Sequence, residues 1–534
     1  MKRIVLLFVA VATLSSLSAQ VRIGKKGQLA GSFETNMIYY VDDSKVGETP
    51  EDKFGSHSFL KLDYTLGRFS VGVQGNAFLP VLQGYNDLGV GDTKFFLSKY
   101  IQWADKNYEI LLGDVYDQFG SGLVFRTFED RQLGINNSLE GGRVIGRLGK
   151  YAQLKALGGR QRLNTKYSDT WVMGADLSLS LADMFKMEET LLSLEGSFVN
   201  RMEKLDQDPA LDEYLAGLGQ EKSVQLYSGR ANFAWKGLSL SAEYAAKGED
   251  LANSAALQAE KGNAILGEVG YSHGGFSFMG TFRQLEHMGT HISVYNMGIN
   301  NTMNYLPALT RQYTYMLANL NPYQVNVEGE IGGQADVNYT IRSRENRYRY
   351  WNFHANYSTY YTLNPSQSAT GARQRLWQDF NFDVERQWNK KWKTIFLYSF
   401  QEWNPYHGYE HRTYVSNIFV ADVTYKINRK HSLRFEGQYL LSDEYEGDWA
   451  AALLEYNWAP HWSVFFSNMY NIDDMPANEG QAKYYYNGGL SYTYKRTRAQ
   501  VSFGRNRAGY VCSGGVCRYS PAYTGVNFVL TTSF

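Results

Sequence analysis

The stretch GVNFVLTTSF, residues 525–534, decides how this chain is read. Side chains of an extended strand alternate between its two faces. Val526, Phe528, Leu530, Thr532 and Phe534 therefore share one face, and Asn527, Val529, Thr531 and Ser533 share the other. One face is apolar and ends on an aromatic ring; the other is mixed. An ordinary edge strand ending in Phe would look the same, so the rest of the chain has to choose.

Working backwards and then from Gly27 onward, about 24 segments of ~10 residues read as strands of membrane-crossing length. Examples are 59–66, 70–79, 108–116, 223–235, 238–244, 376–388, 392–403, 432–441 and 484–494. In 432–441, Leu433, Phe435, Gly437, Tyr439 and Leu441 fall on one face, and Arg434, Glu436 and Gln438 on the other. In 376–388, Phe380, Phe382 and Val384 oppose Asp379, Asn381, Asp383 and Glu385. A cationic side chain at the bilayer midplane costs ~2–4 kcal/mol, so the apolar face is expected toward lipid. Asp379, Asp383, Glu385 and Glu436 are then expected in the lumen.

Composition fits the same picture. There are 41 Tyr, 29 Phe and 11 Trp against only 10 Pro, yet mean hydropathy is −0.41. Alternate residues facing lipid and water reconcile the two numbers. Formal net charge is zero, which gives nucleic acid no electrostatic footprint. Lys2 and Arg3, the apolar run 4–14 and the small-residue exit 15–19 predict a secretory signal over 1–19 and a single domain over 20–534. No Cys follows the expected cut, so a lipid anchor is not expected, and no later run is long and apolar enough for a membrane helix.

Connections between the segments alternate short and long. Short ones lie at 66–69, 148–151, 235–238, 273–276, 388–392, 427–431, 458–462 and 494–498. Longer ones include 41–55, 118–137, 202–221, 248–262, 287–333, 471–481 and 505–524. Trp235, Trp388, Trp392, Trp458 and Trp462 flank the short turns, as an interfacial aromatic girdle would. Short turns carry Lys390, Lys391, Arg429, Lys430, Lys495 and Arg496, whereas several long loops are acidic. Acidic outer loops could hold divalent cations among anionic lipopolysaccharide; a simple solvated loop surface is the preferred reading. Together these features predict an all-β, large transmembrane antiparallel barrel in the bacterial outer membrane, with short periplasmic turns and long extracellular loops. The aromatic C-terminus resembles the terminal signal of outer-membrane barrels. That resemblance implies that Phe528 and Phe534 serve assembly and are read by the barrel-assembly machinery.

Residues 113–142, GDVYDQFGSGLVFRTFEDRQLGINNSLEGG, place Arg126, Glu129, Asp130 and Arg131 beside apolar Leu123, Val124 and Phe125. Such a loop could fold into the pore as a constriction, with Arg143 and Arg147 on the following strand. The inward fold is the leading reading, and an outward Ω-loop held by its own ion pairs is the other. The pattern at 114–144, and the tail CSGGVCRYSPAYTG at 512–525, resemble an uncharacterised outer-membrane barrel family of Bacteroidetes-type bacteria. The resemblance implies fold and location and carries no catalytic residue.

The connection 287–333 holds Tyr305, Leu306, Leu309, Tyr313, Met316, Leu317 and Leu320, a rough helical stripe between Pro307 and Pro322. Its apolarity points to packing in or over the barrel mouth, with a missed hairpin as the other reading. Cys512 and Cys517, outside the reducing cytosol, are expected to form a disulfide that stiffens the last loop. His287 with His291, and His407 with His411, lack the helical context that would make them metal ligands. No metal, cofactor or enzymatic activity is assigned, since HExxH and nucleotide-binding loops are absent from the sequence. The expected function is a porin-like or substrate-translocating channel for small solutes, narrowed by inward loops. The alternative is a closed surface barrel, an adhesin or export accessory. Lipid and lipopolysaccharide are the expected surroundings, and no export or surface partner is identified.

Overall fold

The computed structural model describes residues 21–24, 26–79, 94–204, 209–220, 222–251, 259–294, 301–346, 348–364 and 371–534. The expected signal segment and the acidic stretch 206–208 lie outside the described residues. Within them runs one 25-stranded antiparallel sheet. One member, Val21–Ile23, is a short leader folded back on the first long strand, Gly27–Tyr40. The remaining 24 strands close into a barrel.

Closure is the work of the C-terminal stretch. Strand Tyr523–Ser533 pairs on one edge with Thr497–Asn506 and on the other with Gly27–Tyr40, from Ser32↔Ser533 to Tyr40↔Gly525. Phe534 extends this seam, exchanging two backbone hydrogen bonds of 2.9 Å with Gly31. Its ring lies over that glycine: a Cβ at Gly31 would meet the ring at 2.3 Å and Leu62 at 2.9 Å. Register puts Leu530 opposite Thr35 and Thr531 opposite Glu34, so the two faces divide as the alternation predicts. A closed seam leaves no backbone edge unpaired in hydrocarbon, where each unsatisfied group costs several kcal/mol.

The faces separate as expected elsewhere too. Phe380, Phe382, Phe435, Tyr439 and Leu441 are exposed on the outer face, while Asp379 and Glu436 are buried within the lumen. The five Trp at the short turns are all exposed. Several strands run past the segments read from sequence at their long-loop ends. Phe54–Leu66 begins at Phe54 rather than at 59, and Leu238–Asp250 continues beyond 244. Those extra turns of strand carry inward polar groups rather than an apolar face, so periodicity alone ends early. Among the described residues no helix is long and apolar enough to cross a membrane. An apolar exterior on a closed barrel of this size makes the chain a transmembrane β-barrel of the outer membrane.

Candidate functional site

Register fixes which side chains enter the lumen, and two connections enter with them. The segment between Tyr108–Val115 and Leu139–Leu148 folds inward as two small hairpins, Gln118–Phe119 with Phe125–Arg126 and Glu129–Asp130 with Ile135–Asn136. Phe119, Leu123, Val124 and Phe125 are buried in one cluster with inward-facing Leu157, Val172, Val199 and Leu226. The Ser121 N–H donates to Glu243 at 3.1 Å. Gly120, at φ +51°, passes Arg230 so closely that a Cβ would sit 2.4 Å from its side chain. On the other flank Arg131 donates to Glu34 at 2.7 Å and lies 3.9 Å over the Phe59 ring. Gln74 donates to Glu129 at 2.7 Å. The segment thus reaches wall strands on two sides of the lumen.

Its four charges do different work. Arg126 stacks between Phe128 and Tyr305, at 4.6 and 3.8 Å from the ring centroids. Asp130 accepts the Gln132 and Leu133 N–H groups at 2.9 and 3.0 Å, which is turn chemistry. Glu129 and Arg131 face one another at 3.3 Å. On the wall, Arg143 sits between Glu109 and Asp117, 2.9 Å from the latter, and Lys155 reaches Asp117 at 2.5 Å. Arg147 lies 3.6 Å from Glu109.

The connection 287–328 supplies a second inward segment. Tyr305 to Leu320 was expected to be helical; it is irregular, with one turn at 315–320. Other segments capture its backbone. The Tyr305 N–H donates to Gly122 and the Ala308 N–H to Gly515, at 2.9 and 2.8 Å. The carbonyls of Pro307 and Leu309 accept from Arg283 and the Tyr360 hydroxyl, at 2.5 and 2.9 Å. Tyr315, Leu317, Ala318 and Leu320 bury against inward-facing Leu397, Ile418, Val420, Leu440 and Trp449. Ala308 and Tyr323 do the same with Tyr360, Leu376 and Trp377.

Wall acids complete the docking. The Tyr313 hydroxyl donates to Asp379 at 2.6 Å, and Arg311 reaches Asp383 at 2.7 Å. His354 bridges Asp383 and Asp336 at 2.8 and 2.7 Å. Glu385 pairs with Lys393 at 3.1 Å and Glu436 with Arg434 at 2.6 Å. The four lumen acids read from sequence all point inward, and Asp379 and Asp383 hold the plugging segment.

Two anchors were not read from sequence, and a third adds contacts to the disulfide-closed loop that was. Arg201, Lys247 and Asp250 are at most 1% exposed as side chains, with Arg201–Asp250 at 2.7 Å and Lys247–Asp250 at 3.5 Å. Arg201 and Lys247 donate onward to the carbonyls of His291 and Gly289 at 2.6 and 2.8 Å, gripping the root of the long connection. Glu203 accepts the Val294 N–H at 2.9 Å; burial pushes its carboxyl up against the pull of Arg201. Second, buried Arg283 and Glu330 pair at 2.7 Å, and Glu330 also accepts from Tyr323 at 2.5 Å. Third, the last long loop is a hairpin, Gly509–Ser513 with Val516–Ser520, closed by the Cys512–Cys517 disulfide. The Tyr305 hydroxyl donates to the Gly514 carbonyl at its tip, and Arg518 donates to Gln132 O at 3.1 Å. The signal available for the first two anchors was an inward charge near the long-loop end of a strand, as Arg201 is in TLLSLEGSFVNRM. Among the described residues no group of three or more His, Cys, Asp or Glu is placed to hold a metal; His291 lies within the anchored root.

Residues 1–534 match the profile of the family of unknown function DUF6029. The chain belongs to that family. No curated protein matches the sequence. Among solved structures, the chain is similar to the translocation pore of the P pilus usher PapC, at TM-score 0.43 and 10% identity over 95% of this chain and 99% of that one. It is also similar to the siderophore receptor PirA from Pseudomonas aeruginosa, at TM-score 0.43 and 10% identity over 96% and 81%. OccK9 (OpdG) from Pseudomonas aeruginosa aligns at TM-score 0.37 and 14% identity over 83% and 97%.

Proposed function

We propose that this DUF6029 chain is an outer-membrane channel for small solutes, narrowed by its own inward loops. A barrel of 24 strands is wide enough to need filling. The observation that carries the reading is the way segment 118–137 crosses the lumen. It meets the wall through part-buried polar contacts, Arg131–Glu34 and Glu129–Gln74, as well as through its apolar cluster. Beside it lies a cavity of about 510 Å³. Glu129 and Arg131 would set the local field at the narrowing, with the matched pairs of Arg143 and Arg147 along the wall.

Planar-bilayer recording of the purified chain tests this. Deleting residues 121–134 raises single-channel conductance, and Glu129→Lys with Asp130→Lys moves selectivity toward anions. Because Asp130 holds a turn, Glu129→Lys alone separates charge from loop geometry. A second reading, a closed structural barrel, draws on the apolar clusters that pack 301–328 against the wall. A deletion variant that inserts normally and conducts no better than the parent makes that second reading the correct one.

A further inference from the structure

We infer that the cavity beneath segment 118–137 is a binding station for neutral saccharides. The inference rests on the reading of the lumen as a solute path and names the solute class. The cavity encloses about 510 Å³, with Thr127, Phe128 and Glu129 of the inward segment along one side. Its wall lies near the short-turn ends of Phe69–Leu79 and Lys94–Ala104, where Gly72 and Gln102 sit.

The floor is built for an aromatic ring laid flat. Gly72 pairs with Tyr100 across the sheet, and a Cβ at Gly72 would meet the Tyr100 ring at 2.1 Å and Asp63 at 2.6 Å. The Tyr100 hydroxyl is pinned to Asp63 at 2.8 Å. One ring face thus rests on the glycine, and half-buried Tyr100 lines the cavity with the remainder of its surface. Tyr116 and Phe128 add two more rings to the lining.

Charge selects the ligand class. Every ionised group of the lining is matched within the protein: Lys61 with Asp63 at 3.4 Å, and Glu129 with Arg131 at 3.3 Å. Asp114 accepts from Ser138 at 2.9 Å and Tyr167 at 3.0 Å. The Lys99 side chain turns to Glu140, 3.9 Å away on the outer face. A charged solute would find no unmatched partner and would lose hydration on entry. A solute with apolar C–H faces and ring hydroxyls fits instead: it stacks on Tyr100 while Gln74, Gln102 and the carboxylates take its hydroxyls. That combination is a pyranose, and the volume suits one or two rings.

The test is calorimetric titration of the full barrel in a detergent without sugar headgroups. Maltose and maltotriose are the neutral probes, and glucose 6-phosphate and glucosamine the charged ones. The neutral probes bind, and the charged ones bind more weakly. Tyr100→Ala weakens neutral binding about tenfold or more, and Tyr100→Phe, which keeps the platform, stays within about threefold. Gly72→Ala, which lifts the ring, behaves like Tyr100→Ala. Heat-modifiable migration confirms that each variant is folded. Absence of neutral binding, preference for a charged probe, or equal affinity in Tyr100→Ala overturns the assignment. A chain that conducts but binds no saccharide loses this inference alone; one that binds maltotriose but never conducts keeps the station and loses the channel.

Discussion

Replacing Asp250 by Asn should free the root of the plugging segment without opening the barrel. Arg201, Lys247 and Asp250 are sealed from water, and Asp250 is the carboxylate that both cations share, at 2.7 and 3.5 Å. Its amide leaves Lys247 uncompensated and Arg201 with only Glu203, at 3.6 Å, and breaking a buried pair on one side costs about 3–5 kcal/mol. The cheapest relief is to lift residues 287–294, whose backbone at Gly289 and His291 covers the cluster, and to let water in. At tenfold per ~1.4 kcal/mol, the local opening equilibrium rises by about 10² to several 10³. Hydrogen exchange of the protein in liposomes reads this directly: amides of 287–294 gain protection loss of that order, while those of Tyr108–Val115 stay unchanged as an internal control. If Asp250→Asn leaves the exchange of 287–294 untouched, the cluster does not hold the plug and the reasoning fails.

Other outcomes follow from the same geometry. Phe534→Ser, or loss of residues 527–534, removes the seam bonds to Gly31 and should lower the amount of heat-modifiable barrel in the membrane; normal amounts would show that the seam closes without it. Reactive tags within 473–478 should be labelled on intact cells, and tags at Lys390 or Lys430 only after permeabilisation; the opposite pattern inverts the topology. Burial opposes ionisation of Asp43, yet hydrogen bonds from Arg505, Thr524 and the Lys45 N–H hold it down to about 2. A carboxylate lowered on folding stabilises above its unfolded value of ~3.9 and loses that contribution as pH falls toward the folded value. Spin labels at Lys45 and Ala522 should therefore keep their spacing at pH 5 and separate only between about pH 4 and 2, whereas in Asp43→Asn they are apart throughout.

The barrel was legible because lipid and water impose opposite demands on alternate residues. Phe380 and Phe382 against Asp379 and Asp383 could be sorted from sequence alone, and so could Leu530 against Thr531. The inward segments were legible only in part. Arg126, Glu129, Asp130 and Arg131 are close in sequence, but that does not say that one stacks on Tyr305, one holds a turn and two meet the wall. Those roles depend on Tyr305, Glu34 and Gln74, which come from remote parts of the chain. The Tyr305–Leu320 spacing misled for a related reason. Its apolar residues serve three separate wall clusters rather than one helix face, and tertiary hydrogen bonds outcompete the helical ones.

One signal for the plug was nevertheless in the strands. A strand with lipid on one side and open water on the other has no reason to be apolar on both. Yet Tyr414–Lys426 runs Ile418, Phe419, Val420, Ala421, and Trp449–Trp458 runs Ala450 to Leu454 without a polar break. Phe419 and Leu454 are exposed outward, while Ile418, Val420, Trp449 and Ala451 are buried inward, against Leu317 and its neighbours. Where alternation lapses into a continuous apolar run, the inner face has lost its water and another part of the chain has taken its place. The lapse marks the wall on which the plug docks. Lys94–Ala104 obeys the same rule from the other side: Phe95 and Leu97 are exposed outward and Phe96 is buried inward, 3.8 Å from the Arg162 guanidinium.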